Sequence, residues 1–135
     1  MTNLVLAVMI LSSGVDPSTK LNTRLGYERE AQIILEVAQE YQLDVAQTKL
    51  MVCLRRCENG DPDDGNEFGV AHERPKHPSH RYKGKPEKSL RLQARWAAGT
   101  VRVHYGGDLL EFCRTWCPKN YESLTKNVGK YMAMK

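Results

Sequence analysis

Two neighbouring stretches of helical apolar periodicity constrain this chain more than any other feature. Between residues 27 and 41, Ala31, Ile34, Val37, Ala38 and Tyr41 recur at helical spacing, with Glu28, Arg29, Glu36 and Glu40 over much of the other side. A stripe of that kind marks an amphipathic helix, whose apolar side has to be covered by another element. A second helix opens at Asp44, where Asp44 and Gln47 form a capping-box pattern. Leu50, Met51, Leu54 and Cys57 make its stripe, with Lys49, Arg55 and Arg56 expected largely outside it. Asn59-Gly60, then Asp61-Pro62-Asp63-Asp64-Gly65, end this helix firmly, which leaves Glu58 at its carboxyl end.

The rest of the chain extends the same pattern. A helix is expected over residues 89–105, with Leu92, Trp96 and Val103 as core candidates and Gly106-Gly107 as its stop. Asp108 and Glu111 form a second capping-box pattern, Pro118 closes that helix, and a final helix covers 121–132. Residues 67–71 read as a short extended segment, one strand of a small β-hairpin. Residues 74–88, basic and rich in proline, read as an exposed loop. The fold expected is mainly α within an α+β class: a helical bundle with one small β-hairpin.

A length of 135 residues fits one domain, with 1–25 as an apolar segment and connector and 26–135 as the core. The apolar run from Leu4 to Leu11 is far short of the ~20 residues that span a bilayer. No Lys or Arg precedes it, and Ser12-Ser13-Gly14-Val15 is only a loose cleavage site. A short helix packed on the domain is therefore expected rather than a cleaved signal or a membrane insertion. The net charge of +4 suits an anionic partner such as a wall polymer, nucleic acid or an anionic membrane, and equally suits plain solubility.

Glu58 is the candidate to carry chemistry. A carboxyl group at the end of a hydrophobic helix loses solvation for its charged form and can hold a proton near neutral pH. Cleavage of a glycosidic bond needs such a proton on the leaving oxygen. On position alone an exposed helix-end glutamate is the commoner outcome; the order of the surrounding motifs changes that balance. Glu58-Asn59-Gly60 is followed by Glu67-Phe68-Gly69-Val70, by Gln93-x-x-Trp96-Ala97-Ala98-Gly99-Thr100, by Trp116-Cys117-Pro118 and by Asn127-Val128. This order resembles the lysozyme-like transglycosylase domains of bacteriophages and prophages, a group similar to soluble lytic transglycosylases and goose-type lysozymes.

The resemblance covers roughly residues 44–132 and implies a lysozyme-like fold acting on peptidoglycan glycan strands. It makes Glu58 the acid on the bond between N-acetylmuramic acid and N-acetylglucosamine. Phe68, Gly69, Val70, Ala71 and His72 would line the groove, where relatives carry Phe-Gly-Leu-Met-Gln. The helix from Gln93 to Gly99 would pack behind the acid. A transglycosylase needs no second carboxylate, because the sugar's own hydroxyl attacks. An inverting hydrolase needs a base about 6.5–9.5 Å from the acid, for which Glu67 is the first choice over Glu73 and Asp64. Gln93 and Tyr121 are candidates to hydrogen-bond substrate or to orient Glu58. Trp96 and Trp116 are expected as core anchors rather than sugar platforms. No cofactor or metal is expected. A monomer is expected, and the resemblance implies action in the bacterial periplasm or cell wall, with the protein held in a virion or host cytoplasm until release.

Four cysteines stand in two pairs, Cys53 and Cys57, then Cys113 and Cys117, each pair on one helix face. Buried reduced thiols come first and two inter-helix disulfides second; a tetrathiolate zinc site comes last, because structural zinc usually uses tighter spacings. His72, His77 and His80 fall in or beside the basic stretch with Arg74, Lys76, Arg81, Lys83 and Lys85, which reads as a flexible loop ahead of a metal site. Two rival functions stay open: a catalytically silent wall-binding or virion structural domain, and nucleic-acid binding through residues 74–88. The second lacks an aromatic array for base stacking, with Tyr82 alone in that stretch.

Overall fold

In the computed structural model, which describes residues 3–13, 20–70 and 82–135, the expected stripes pack around one central helix. The helices are α1 (Asn3–Ser12), α2 (Tyr27–Glu40), α3 (Val45–Glu58), α4 (Pro86–His104), α5 (Leu109–Trp116) and α6 (Tyr121–Met132). A 3-10 turn at Pro62–Asp64 lies between α3 and α4. α3 packs against α1, α2, α4 and α6, α2 also meets α1 and α4, and α5 pairs with α6.

The start of α3 is fixed by the expected capping box. Asp44 Oδ1 accepts from the Gln47 amide at 2.8 Å, and Gln47 Oε1 accepts from the Asp44 amide at 3.0 Å. Gln47 Nε2 then donates to the Tyr105 carbonyl at 3.1 Å, which ties the start of α3 to the end of α4. Neighbours on several sides leave α3 no solvent stripe over its middle, so every residue from Leu50 to Arg56 is buried. Arg55 and Arg56, expected outside, are 0% and 4% exposed.

Arg55 reaches inward to a second buried charge, Glu30 of α2, through Nε to Oε1 at 2.7 Å and through Nη2 to Oε2 at 3.1 Å. A two-pronged pair of this kind offsets much of the desolvation that isolated charges would suffer. Arg56 donates to the Ser13 carbonyl at 2.9 Å and lies 5.8 Å from the Tyr131 ring centre, so its charge is also met.

α4 corrects the expected core. Leu90, Ala94, Ala97, Ala98 and Val101 are buried, whereas Trp96 and Val103 are 46% and 75% exposed and Leu92 is half-buried. The face made of small side chains is the one that turns inward, where α2 and α4 meet. Trp116 is half-buried and stacks on Phe112, with ring centres 5.7 Å apart. α4 also starts earlier than expected, with Pro86 in its first turn, where a missing amide hydrogen costs nothing. Residues 86–88 are thus helix rather than loop. The apolar N-terminal segment forms α1 and packs through Ala7, Ile10 and Leu11. Among the described residues no helix is long and apolar enough to cross a membrane.

The β-hairpin is absent: among the described residues there is no strand, and the class is all-α. Glu67 and Phe68 form a turn instead of an extended segment. The reason lies in where their backbone hydrogen bonds go. Side chains of α3 and α4 satisfy the polar groups that a partner strand would otherwise have taken.

Candidate active site at the end of α3

The last turn of α3 projects three residues in three directions, and each fixes a different neighbour. Arg55 points into the core. Besides Glu30, it donates to the carbonyls of Glu67 at 3.2 Å, Gly60 at 3.4 Å and Asn22. Asn59 takes the left-handed conformation (φ 47°) that ends the helix, which asparagine tolerates better than most residues. Its side chain accepts from the Asn22 amide at 2.6 Å and donates to the Lys20 carbonyl at 2.9 Å, clamping that connector onto the helix end. Glu58, half-buried, turns toward the segment that folds back after the 3-10 turn.

That segment is held tightly. The Asn66 amide donates to the Asp61 carbonyl at 3.1 Å, and the Gly69 amide donates to the Asn66 carbonyl at 3.0 Å. Gly60 allows the approach, because a methyl group there would lie 1.6 Å from the Asn66 carbonyl oxygen. Gln93 of α4, only 6% exposed, grips the next residues. Its Oε1 accepts from the Phe68 amide at 3.1 Å and the Val70 amide at 3.3 Å, and its Nε2 donates to the Val70 carbonyl at 3.2 Å. Phe68 is fully buried in the core cluster. Gly69 (φ 69°) faces Glu58 so closely that a methyl group in place of its hydrogen would lie 2.3 Å from Glu58 Oε2. The Glu58 carboxylate thus occupies the space a side chain at residue 69 would fill.

Glu67, the first choice for a base, lies elsewhere. It is 1% exposed, its Oε1 accepts from Ser89 Oγ at 2.9 Å, and its Oε2 is buried without a hydrogen-bond partner. Burial pushes its carboxyl up to about 7, an effect that the Ser89 hydroxyl and the nearby Arg55 charge oppose and the Glu30 charge reinforces. Asp61 and Asp63 face Arg24 at 3.3 and 3.4 Å, while the alternative base Asp64 is exposed.

The other expected groups divide. Tyr121, half-buried at the start of α6, stacks under the Arg114 guanidinium at 5.2 Å. All four cysteines are free thiols, with Cys53 and Cys113 buried and Cys57 and Cys117 half-buried. Burial pushes Cys53 and Cys57 up to about 12 and raises Cys113. The Glu58 charge adds to the rise of Cys57 and Cys113. Among the described residues no group of three or more His, Cys, Asp or Glu side chains is placed to hold a metal ion. Tyr82 is buried, its ring against Gly65, and not presented for stacking on a base. Ala71, His72, Glu73, His77, His80 and the basic residues from Arg74 to Arg81 lie outside the described residues.

Sequence reasoning passed over Glu30, Arg55 and Ser89. A signal existed for the first two. Glu30 stands four and seven residues before Ile34 and Val37, and Arg55 stands four after Met51, so each falls on the apolar face of its helix. Ser89 offered none. No family model, no curated protein and no solved structure matches the chain.

Proposed function

We propose that the chain is a peptidoglycan-cleaving glycosidase in which Glu58 donates the proton to the oxygen between N-acetylmuramic acid and N-acetylglucosamine. One observation carries the reading: the Glu58 carboxylate is seated against Gly69, at the junction of the α3 terminus and the turn bearing Phe68 and Val70. An acid catalyst has to be held at a fixed place while the substrate moves past it, and a carboxyl group fitted into a glycine's vacant side-chain space has that property.

The two chemical continuations differ in what they ask of a second carboxyl. An inverting hydrolase requires a base in contact with water on the far face of the sugar. Glu67 is enclosed and bonded to Ser89, which argues against that role for Glu67 and leaves the exposed Asp64 as the candidate base among the described residues; the transglycosylase branch, where a sugar hydroxyl attacks, needs no base of this kind and is the one we propose. The substrate is then a glycan strand of the bacterial wall, reached from the periplasm or cell surface, and the net charge of +4 suits its anionic stems and associated polymers.

The test is clearance of purified peptidoglycan by the wild-type protein and by Glu58→Gln, with circular dichroism to confirm that the variant folds. Clearance by the wild type alone supports the reading. Equal clearance by a folded Glu58→Gln removes Glu58 from the mechanism. Binding to sacculi without any clearance by the wild type points to a silent wall-binding domain.

A further inference from the structure

We infer that Gln93 is a positioning residue for Glu58 that acts through the backbone of residues 68–70, and that it is not a sugar contact. The inference rests on the reading of Glu58 as the acid, and its geometry stands apart from that reading. A glutamine side chain has two acceptor lone pairs and two N–H donors. Here both lone pairs are taken, by the Phe68 and Val70 amides, and one donor is taken by the Val70 carbonyl. Little bonding capacity is left for a substrate hydroxyl, and the side chain is 6% exposed.

What those bonds do is set a distance. Gln93 stands in for a neighbouring strand: it satisfies the N–H and C=O of Val70 together, as a β partner would, from the rigid body of α4. The residue between its two amide contacts is Gly69, whose missing side chain leaves the space for Glu58 Oε2. If the turn moved toward α3, its backbone would displace the carboxylate. If it moved away, the carboxylate would lose the wall behind it. α4 therefore bears on where the acid sits through the backbone of this turn. Arg55 braces the same turn from the α3 side through the Glu67 carbonyl at 3.2 Å, so the turn is held from both flanking helices.

The experiment compares wild type, Gln93→Met and Gln93→Glu. Methionine matches the length and forms none of the three bonds; glutamate keeps an acceptor for the two amides and loses the donor. Two readouts are followed: amide hydrogen exchange at Phe68 and Val70, and the pH titration of the Glu58 carboxyl carbon by NMR. In Gln93→Met, exchange at both amides should accelerate about tenfold, and the Glu58 titration curve should move away from its wild-type position. Gln93→Glu should preserve most of the amide protection and lie between the two. On peptidoglycan, kcat should fall about 100-fold in Gln93→Met with KM unchanged, as for a misplaced catalytic group. Faster exchange with an unmoved Glu58 titration would make Gln93 merely structural, and a raised KM with unchanged kcat would make it a sugar contact. Either result overturns the inference. If Gln93→Met does not fold, Gln93→Asn, neutral and too short to reach both amides, carries the same comparison. A wild type that cleaves nothing would overturn the assignment of Glu58, while the two NMR readouts would still decide whether Gln93 sets its position.

Discussion

The buried carboxyl of Glu67 makes a prediction about stability that can be worked from its surroundings. The carboxyl is enclosed, one oxygen accepts from the Ser89 hydroxyl at 2.9 Å, and the other is buried with no hydrogen-bond partner. The nearest cation, Arg55, is already neutralised by Glu30 at 2.7 Å. Ionising Glu67 would therefore place a second carboxylate beside a guanidinium that has one, and burial holds the group protonated up to about 7, against an ordinary 4.5. With the folded-state value raised, the folded protein keeps a proton that the unfolded chain releases. The contribution is complete below about pH 4.5 and falls by about 1.4 kcal/mol per pH unit from there. It is lost by about pH 7, a total of about 3 kcal/mol.

Glu67→Gln removes the titration and nearly preserves the shape. Urea unfolding of both proteins across this range, at constant ionic strength and with equal m-values, isolates the effect. The stability of Glu67→Gln relative to wild type should rise by about 3 kcal/mol between about pH 4.5 and about pH 8. Parallel stability–pH curves for the two proteins would refute the reasoning, because they would mean that Glu67 gains or loses its proton alike in both states.

Two further predictions follow from other buried groups. Arg55→Met should cost about 3–5 kcal/mol in urea unfolding, since it strands the Glu30 charge and frees the carbonyls of Glu67, Gly60 and Asn22; adding Glu30→Met should recover part of that loss. Cys53 and Cys57, held at about 12 by burial, should react with iodoacetamide far more slowly in the folded protein at about pH 8 than in urea, read by mass spectrometry of the labelled peptides.

Local signals in the sequence located the helices well. The capping box at Asp44 and the Asn59-Gly60 stop followed from residue types whose backbone preferences are strong. What escaped was tertiary. Bulky Trp96 and Val103 drew the expected core to the wrong face of α4, whereas the close approach of α2 selects the alanines. Residues 67–70 carry strand-like composition, and nothing local reveals that Gln93 and Arg55, distant in sequence, take their hydrogen bonds and turn them into a loop. For the candidate site, the position of Glu58 at the helix end was readable from the sequence. The role of Gly69 as its seat and the enclosure of Glu67 required the packing of α3, α4 and the turn between them.

The central claim is that the carboxyl of Glu58 protonates a glycosidic oxygen of peptidoglycan. Mass analysis of the soluble products from sacculi tests it most directly, because it reads both the bond cut and the chemistry used. The account predicts muropeptides ending in anhydro-muramic acid from the wild type, and none from a folded Glu58→Gln protein. The same products released at the wild-type rate by Glu58→Gln, or no glycan cleavage by the wild type, would contradict it.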